Sequence, residues 1–199
     1  MIDIGLPYSK VKEHLKDIDF LLLTHIHGDH FKADTIRKIF VYHENIKIVC
    51  GEWLREKLLS VGVDEDRIII VEFGKVYTLG IYLISPILAY HDVENCGYRV
   101  MKDGFKHFHI TDTFSLDGIE TLNYNSASIE CNHDYEKALE LIEEAKDNDE
   151  FSHLKGAINS HLAVHKTISF CKENKIKKLY PIHIGSSTKK EVIQALKEW

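Results

Sequence analysis

The sequence is poor in the features that mark membrane, secreted and structural proteins. No apolar run approaches the roughly 20 residues that span a bilayer, and the longest near the start is only Phe20-Leu21-Leu22-Leu23. The N-terminus shows no charged-then-apolar leader pattern, so a cytoplasmic protein with no membrane partner is expected. Prolines number 3 in 199 residues, and no repeat, linker or low-complexity tract interrupts the chain. The four cysteines, Cys50, Cys96, Cys131 and Cys171, form no C-x-x-C pair. Their spacing suggests no disulfide framework, and reduced, buried thiols are the expectation. A formal net charge of −6 excludes a generally basic surface while leaving room for a local basic track.

What remains is a globular composition, 44% hydrophobic and 28% charged, in a length that suits one domain, here residues 1–199. Strand-like stretches at 19–23, 46–50, 67–73, 76–79 and 81–89 alternate with helical ones at 33–43 and 52–60. Ser9 is placed to cap a first helix bearing Val11, Leu15 and Ile18. Residues 96–101 and 105–111 read as a hairpin turning on Lys102-Asp103-Gly104. Helices follow over 135–146 and 161–173, then a strand over 178–182 and a last helix over 189–199. Periodicity alone supports an α/β or α+β domain.

Histidine is the residue in excess, with 13 copies. Four metal-ligand types lie within six residues directly after an apolar strand, in Thr24-His25-Ile26-His27-Gly28-Asp29-His30. Alternation along a strand end puts His25 and His27 on one side. Gly28 would then allow a sharp turn bringing Asp29 and His30 to the same centre. The absence of cysteine disfavours a closed structural zinc shell.

His-x-His-x-Asp-His after a hydrophobic strand resembles the signature of the metallo-β-lactamase superfamily. The resemblance implies an αββα four-layer sandwich and three later ligands, for which His91, Asp112 and His183 stand at strand ends or loops. Carried over, His25, His27 and His91 would hold one metal ion. Asp29, His30 and His183 would hold a second, with Asp112 bridging. Aspartate at the bridging position disfavours the lactam-opening branch and favours branches that open thioesters, lactones or phosphodiesters. The resemblance also makes Asp3, in Ile2-Asp3-Ile4-Gly5, a support for the ligand loop. Relatives carry strands ahead of that segment. The chain is therefore expected to be N-terminally incomplete, with an exposed sheet edge that a second copy in a homo-oligomer could cover.

Two further segments narrow the branch. Glu130-Cys131-Asn132-His133-Asp134 and Asn159-Ser160-His161-Leu162-Ala163 are similar to motifs of a bacterial and phage exonuclease-like subgroup, with Ala163 where that subgroup has serine. That resemblance implies a nuclease or phosphodiesterase acting on nucleic acid through a metal-bound hydroxide. Asp29 would steer the hydroxide, His161 would protonate the leaving oxygen, and Glu130 or His133 would orient His161. Two divalent ions are implied, zinc first and manganese second, since imidazole and carboxylate suit both. Lys175, Lys177, Lys178, Lys189 and Lys190, with the backbone of Gly185-Ser186-Ser187, are candidate phosphate contacts. The alternatives are a small-molecule ester, thioester or lactone hydrolase and an inactive metal-binding remnant. Asp134 is also a natural helix N-cap, and His107 and His109 read as ordinary strand residues.

Overall fold

The computed structural model describes residues 1–199, which divide into two compact units, Met1–Lys75 and Val76–Trp199. No helix is long and apolar enough to cross a membrane.

The first unit is a three-stranded parallel sheet with helices between the strands. Its elements are α1 (Tyr8–Val11), β1 (Phe20–Leu22), α2 (Ala33–Tyr42), β2 (Lys47–Cys50), α3 (Arg55–Ser60) and β3 (Ile68–Ile70), with the strands in the order β1-β2-β3. Parallel strands are covered on both faces, so the central one reads as an unbroken apolar run. Ile48, Val49 and Cys50 of β2 are accordingly buried. Ile36 and Ile39 of α2, at helical spacing, pack with Leu21, Leu23, Ile48, Leu54 and Leu58 into one core. Ser9 does not cap α1. Pro7 occupies that position without a side-chain bond, and the chain continues as a 3-10 turn over Lys12–Asp17. Proline suits a helix start because it has no N–H to satisfy there. The segment ahead of α1 is tied down by bridges from Ile2 to Leu22 and from Ile4 to Phe31.

The second unit is a six-stranded sheet in the order β4-β5-β6-β7-β8-β9. Its strands are β4 (Tyr77–Leu79), β5 (Tyr82–Ala89), β6 (Asn95–Lys102), β7 (Phe105–Ile110), β8 (Ser126–Glu130) and β9 (Leu179–Ile182). Pairing is antiparallel as far as β7 and parallel from β7 to β9. The β6–β7 hairpin turns where the sequence places it, with Asp103 at φ 49° and Gly104 at φ 79°. Two successive left-handed residues are what a tight primed turn requires. The helices are α4 (Tyr135–Asp147), α5 (Leu154–Ser160), α6 (Val164–Glu173) and α7 (Lys189–Lys197). Asp134 caps α4 by accepting from the Lys137 amide at 3.0 Å.

Two elements of this unit escape the sequence reading, β8 and α5. The helix expected from residue 161 starts only at Val164, and His161 instead closes α5 as its C-cap. On β7 and β8 the two faces differ sharply. Phe108, Ile110, Ala127 and Ile129 pack with Leu162, Phe170 and Cys171 in the core. The alternate residues His107, His109, Ser126 and Ser128 are hydrogen-bonded to one another, His107 to both serines at 2.8 and 3.0 Å and His109 to Ser128 at 2.7 Å. All four cysteines are free and buried, and burial pushes the Cys50, Cys131 and Cys171 thiols up to about 12.

Candidate metal centre

In the first unit the chain leaves β1 and runs through Leu23 and Thr24 into the histidine loop. Asp3 holds this loop from below. Its Oδ1 accepts from the Thr24 amide at 2.8 Å, and its Oδ2 accepts from the Thr24 hydroxyl at 2.8 Å and pairs with His30 Nδ1 at 2.7 Å. The Thr24 hydroxyl also meets His25 Nδ1 at 2.9 Å. The rings of His25 and His27 stand edge-on at 4.9 Å, and those of His25 and His30 lie 4.4 Å apart. With Nδ1 of His25 and His30 engaged by the chain's own groups, Nε2 is the atom each ring offers a metal. Metal-bound histidines are usually oriented through their other nitrogen in this way. Asp29 is exposed and lies 3.4 Å from His30 Nε2.

Glycine matters in this loop, though not at the expected place. A Cβ on Gly28 would meet nothing, so the turn does not demand glycine there. The turn is closed instead by the His30 and Phe31 amides, which both donate to the His27 carbonyl. The demanding position is Gly5, where a Cβ would fall 1.7 Å from the Asp29 carbonyl oxygen.

The second unit assembles its own polar cluster. Ligand atoms of Asp112, Glu130, His161 and His183 all lie within 4.8 Å of one another. The His91 ring lies 5.3 Å from that of His161, and its Nε2 is 3.9 Å from Asp112. The organiser is Glu130, a fully buried carboxylate at the end of β8. Its Oε1 accepts from Nδ1 of both His161 and His183, each at 2.7 Å. Its Oε2 accepts from the amides of Thr113 at 3.0 Å and Leu162 at 3.1 Å. Burial pushes the Glu130 carboxyl up, but the two histidine bonds outweigh it, and the net shift is downward. An ionised carboxylate is the form that can accept four donors. For His91 burial dominates and lowers the pKa, against the opposing pull of Asp112 and Asp92.

Two members of this cluster sit in sparsely populated backbone conformations, Asp112 at φ 50° and His183 at φ 51°. Left-handed residues with a β-carbon persist only where their surroundings hold them. Asn95 does this for Asp112, donating to the carbonyls of Thr111 at 3.1 Å and Asp112 at 2.7 Å. The Thr111 hydroxyl adds a bond to Asp112 Oδ2 at 2.8 Å. Asn95 escapes sequence reading because nothing local distinguishes it from a turn residue.

His133 does not join the cluster. Glu130 is the residue that holds His161, while His133 is 1% exposed with neither ring nitrogen hydrogen-bonded. Its backbone bridges Ala163 instead. A second departure concerns the first residue of the expected phosphate loop. The Gly185 amide is already spent on the Asn132 carbonyl at 2.8 Å, so it is not available to an anion. Lys175, Lys177 and Lys178 lie exposed between α6 and β9, and Lys189 and Lys190 in the first turn of α7.

The donors present are imidazoles and carboxylates with anchored orientations, a chemistry that suits divalent metal ions. Comparison with known proteins agrees with this character. Residues 4–184 match the family model of the beta-lactamase superfamily domain. A UPF0173 metal-dependent hydrolase of Thermococcus kodakarensis is 28% identical over 126 residues, covering 60% of this chain and 54% of that protein. The chain thus spans about half the length of the curated relative it matches. Among solved structures, the metallo-beta-lactamase fold protein YhfI of Bacillus subtilis superposes with a TM-score of 0.75 at 15% identity, covering 99% of this chain and 78% of that one. Human tRNase Z, short form, does so with a TM-score of 0.65 at 16% identity, covering 93% and 81%. The α/β architecture is that of the metallo-β-lactamase fold, and the chain belongs to the beta-lactamase superfamily.

Proposed function

We propose that the chain is a metal-dependent hydrolase that opens phosphodiesters, with nucleic acid as its substrate class. The observation that carries this reading is the shared oxygen of Glu130. It fixes two rings at once, one suited to ligate and one suited to move a proton. His25, His27 and His91 are proposed to hold one cation, Asp29, His30 and His183 the other, and Asp112 to serve both. When bound, such cations supply Lewis acidity and a nucleophile at neutral pH.

The chain's own groups would then act as follows. Glu130 keeps a proton on His161 Nδ1, and a second proton on Nε2 passes to the departing sugar oxygen as its bond to phosphorus breaks. Water supplies the oxygen that phosphorus gains, so the products are a phosphomonoester and an alcohol. Asp29, exposed at the edge of its loop, would orient the incoming water. A structural neighbour named as a tRNase is in keeping with this chemistry.

The test is metal analysis paired with turnover of bis(p-nitrophenyl) phosphate and of linear DNA. His161→Ala should slow turnover about 10²-fold or more and leave metal content intact. Loss of metal in that variant would move His161 into the ligand set. Two metal ions per chain with no cleavage of either phosphodiester would refute the phosphodiesterase reading.

One observation favours a second reading, a small ester, thioester or lactone as substrate. The α4–α5 arm springs from Asp134 and ends at His161, and between Tyr135 and Ser160 seven carboxylates face only three lysines. Such an arm repels a long polyanion and is indifferent to a small neutral ester. DNA binding that weakens steeply with salt supports the nucleic-acid reading. Turnover of a lactone with no salt-dependent DNA binding supports the second.

A further inference from the structure

Asn132 lies two residues beyond β8, 8% exposed, and is bonded at three points. Its amide donates to the Leu162 carbonyl at 2.9 Å, and its carbonyl accepts from the Gly185 amide at 2.8 Å. Its side-chain Nδ2 donates to the His183 carbonyl at 3.3 Å. One residue therefore touches the carbonyl of Leu162, the neighbour of His161, and both ends of the turn that begins at His183.

That turn needs support. His183 carries a β-carbon at φ 51°, a conformation that persists only where something external fixes the peptide. The loop also approaches Asn132 unusually closely. A Cβ on Gly185 would lie 2.8 Å from the Asn132 carbonyl oxygen and 3.4 Å from its Oδ1, so glycine is what lets the loop close against this residue.

We propose that Asn132 is a positioning residue for His183. Its side-chain amide holds the His183 peptide in the left-handed turn that aims Nδ1 at Glu130 Oε1 and presents Nε2 to the metal site. The ring-orientation half of this statement stands on geometry alone. The metal half rests on the proposed function, in which His183 is a ligand.

The test uses long-range proton–nitrogen spectra of the imidazole rings in the full metal-free chain, assigned with His161→Gln and His183→Gln, together with calorimetric zinc titration. In the wild type His183 should hold a single Nδ1–H tautomer. Asn132→Ala should let the His183 nitrogens average between tautomers while His161 keeps its signature, and should weaken zinc binding about 10-fold. Asn132→Asp has the same shape without the donor and should lose as much. A merely space-filling role would be preserved in Asn132→Asp, and a general loosening would shift His161 together with His183. Either result overturns the proposal, as do unchanged His183 signals in both variants. A tautomer change without any zinc binding to the wild type would leave the positioning role standing and refute the metal reading. Zinc binding that neither substitution alters, with the His183 signals also unchanged, would refute the positioning role and leave the metal reading standing.

Discussion

Replacing Glu130 with glutamine changes one charge and almost no volume, yet the geometry dictates a large consequence. The Glu130 carboxylate accepts four hydrogen bonds, two from backbone amides and two from imidazole Nδ1 atoms. A glutamine has one oxygen and one NH₂. The Thr113 and Leu162 amides cannot become acceptors, so the glutamine oxygen must face them. Its NH₂ then faces His161 and His183, whose Nδ1 atoms must give up their protons to accept. Each ring is driven to the Nε2–H tautomer, which places a proton on the atom proposed to ligate metal in His183 and to serve the leaving group in His161. All four bonds to the carboxylate are charge-assisted, worth about 1.5–3 kcal/mol each, and become neutral ones of about 0.5–1.5 kcal/mol. No longer burying a charge offsets part of that loss, so Glu130→Gln should cost about 2–3 kcal/mol of stability. Zinc affinity should drop about 10- to 100-fold, the usual effect of losing a group that orients a ligand. Urea unfolding of the metal-free chain and zinc titration measure the two effects. Wild-type zinc affinity in a folded Glu130→Gln variant would refute the tautomer argument.

Other perturbations probe the first unit and the buried histidines. Asp3→Ala strands the Thr24 amide and hydroxyl and the His30 ring; unfolding measurements should show a loss of about 3 kcal/mol, and a loss under 1 kcal/mol would mean water replaces the carboxylate. Gly5→Ala drives a methyl group into the Asp29 carbonyl and should destabilise by about 3 kcal/mol, whereas Gly28→Ala should be close to neutral in the same assay. Burial lowers the pKa of His91, His107 and His133 below the ordinary histidine value. The unfolded chain therefore binds protons that the folded chain refuses as pH falls below about 6.5, and stability should decline from there downward. The urea midpoint of the metal-free chain should fall between pH 7.5 and 5.5, and His107→Gln should flatten that fall.

Much of the chain is legible before any coordinate is known, because the signals are local. The apolar run ending at Leu23 announces β1, and helical spacing of Ile36 and Ile39 announces α2. Asp103-Gly104 supplies the left-handed pair that a tight hairpin needs. Asp134 caps its helix through a bond three residues away. The ligand-type run from His25 to His30 requires no folding to be noticed, since its residues are adjacent in sequence.

What the sequence leaves open is whatever depends on partners distant along the chain. Ser126–Glu130 mixes small, polar and charged residues, and becomes a strand only because β7 and β9 flank it. Glu130 offers no sign in sequence that one of its oxygens receives two histidines, or that the other receives two amides. His133, beside it in the same motif, reads equally well as an orienting group, and only the structure shows its ring nitrogens without a hydrogen bond while Glu130 takes His161. Gly28 and Gly5 look alike until the Asp29 carbonyl is found against the second. Sequence determines which groups are available and the local periodicities that form strands and helices. Tertiary structure decides which hydrogen bond each buried group receives, because burial removes water as an alternative partner and leaves geometry to choose among the rest.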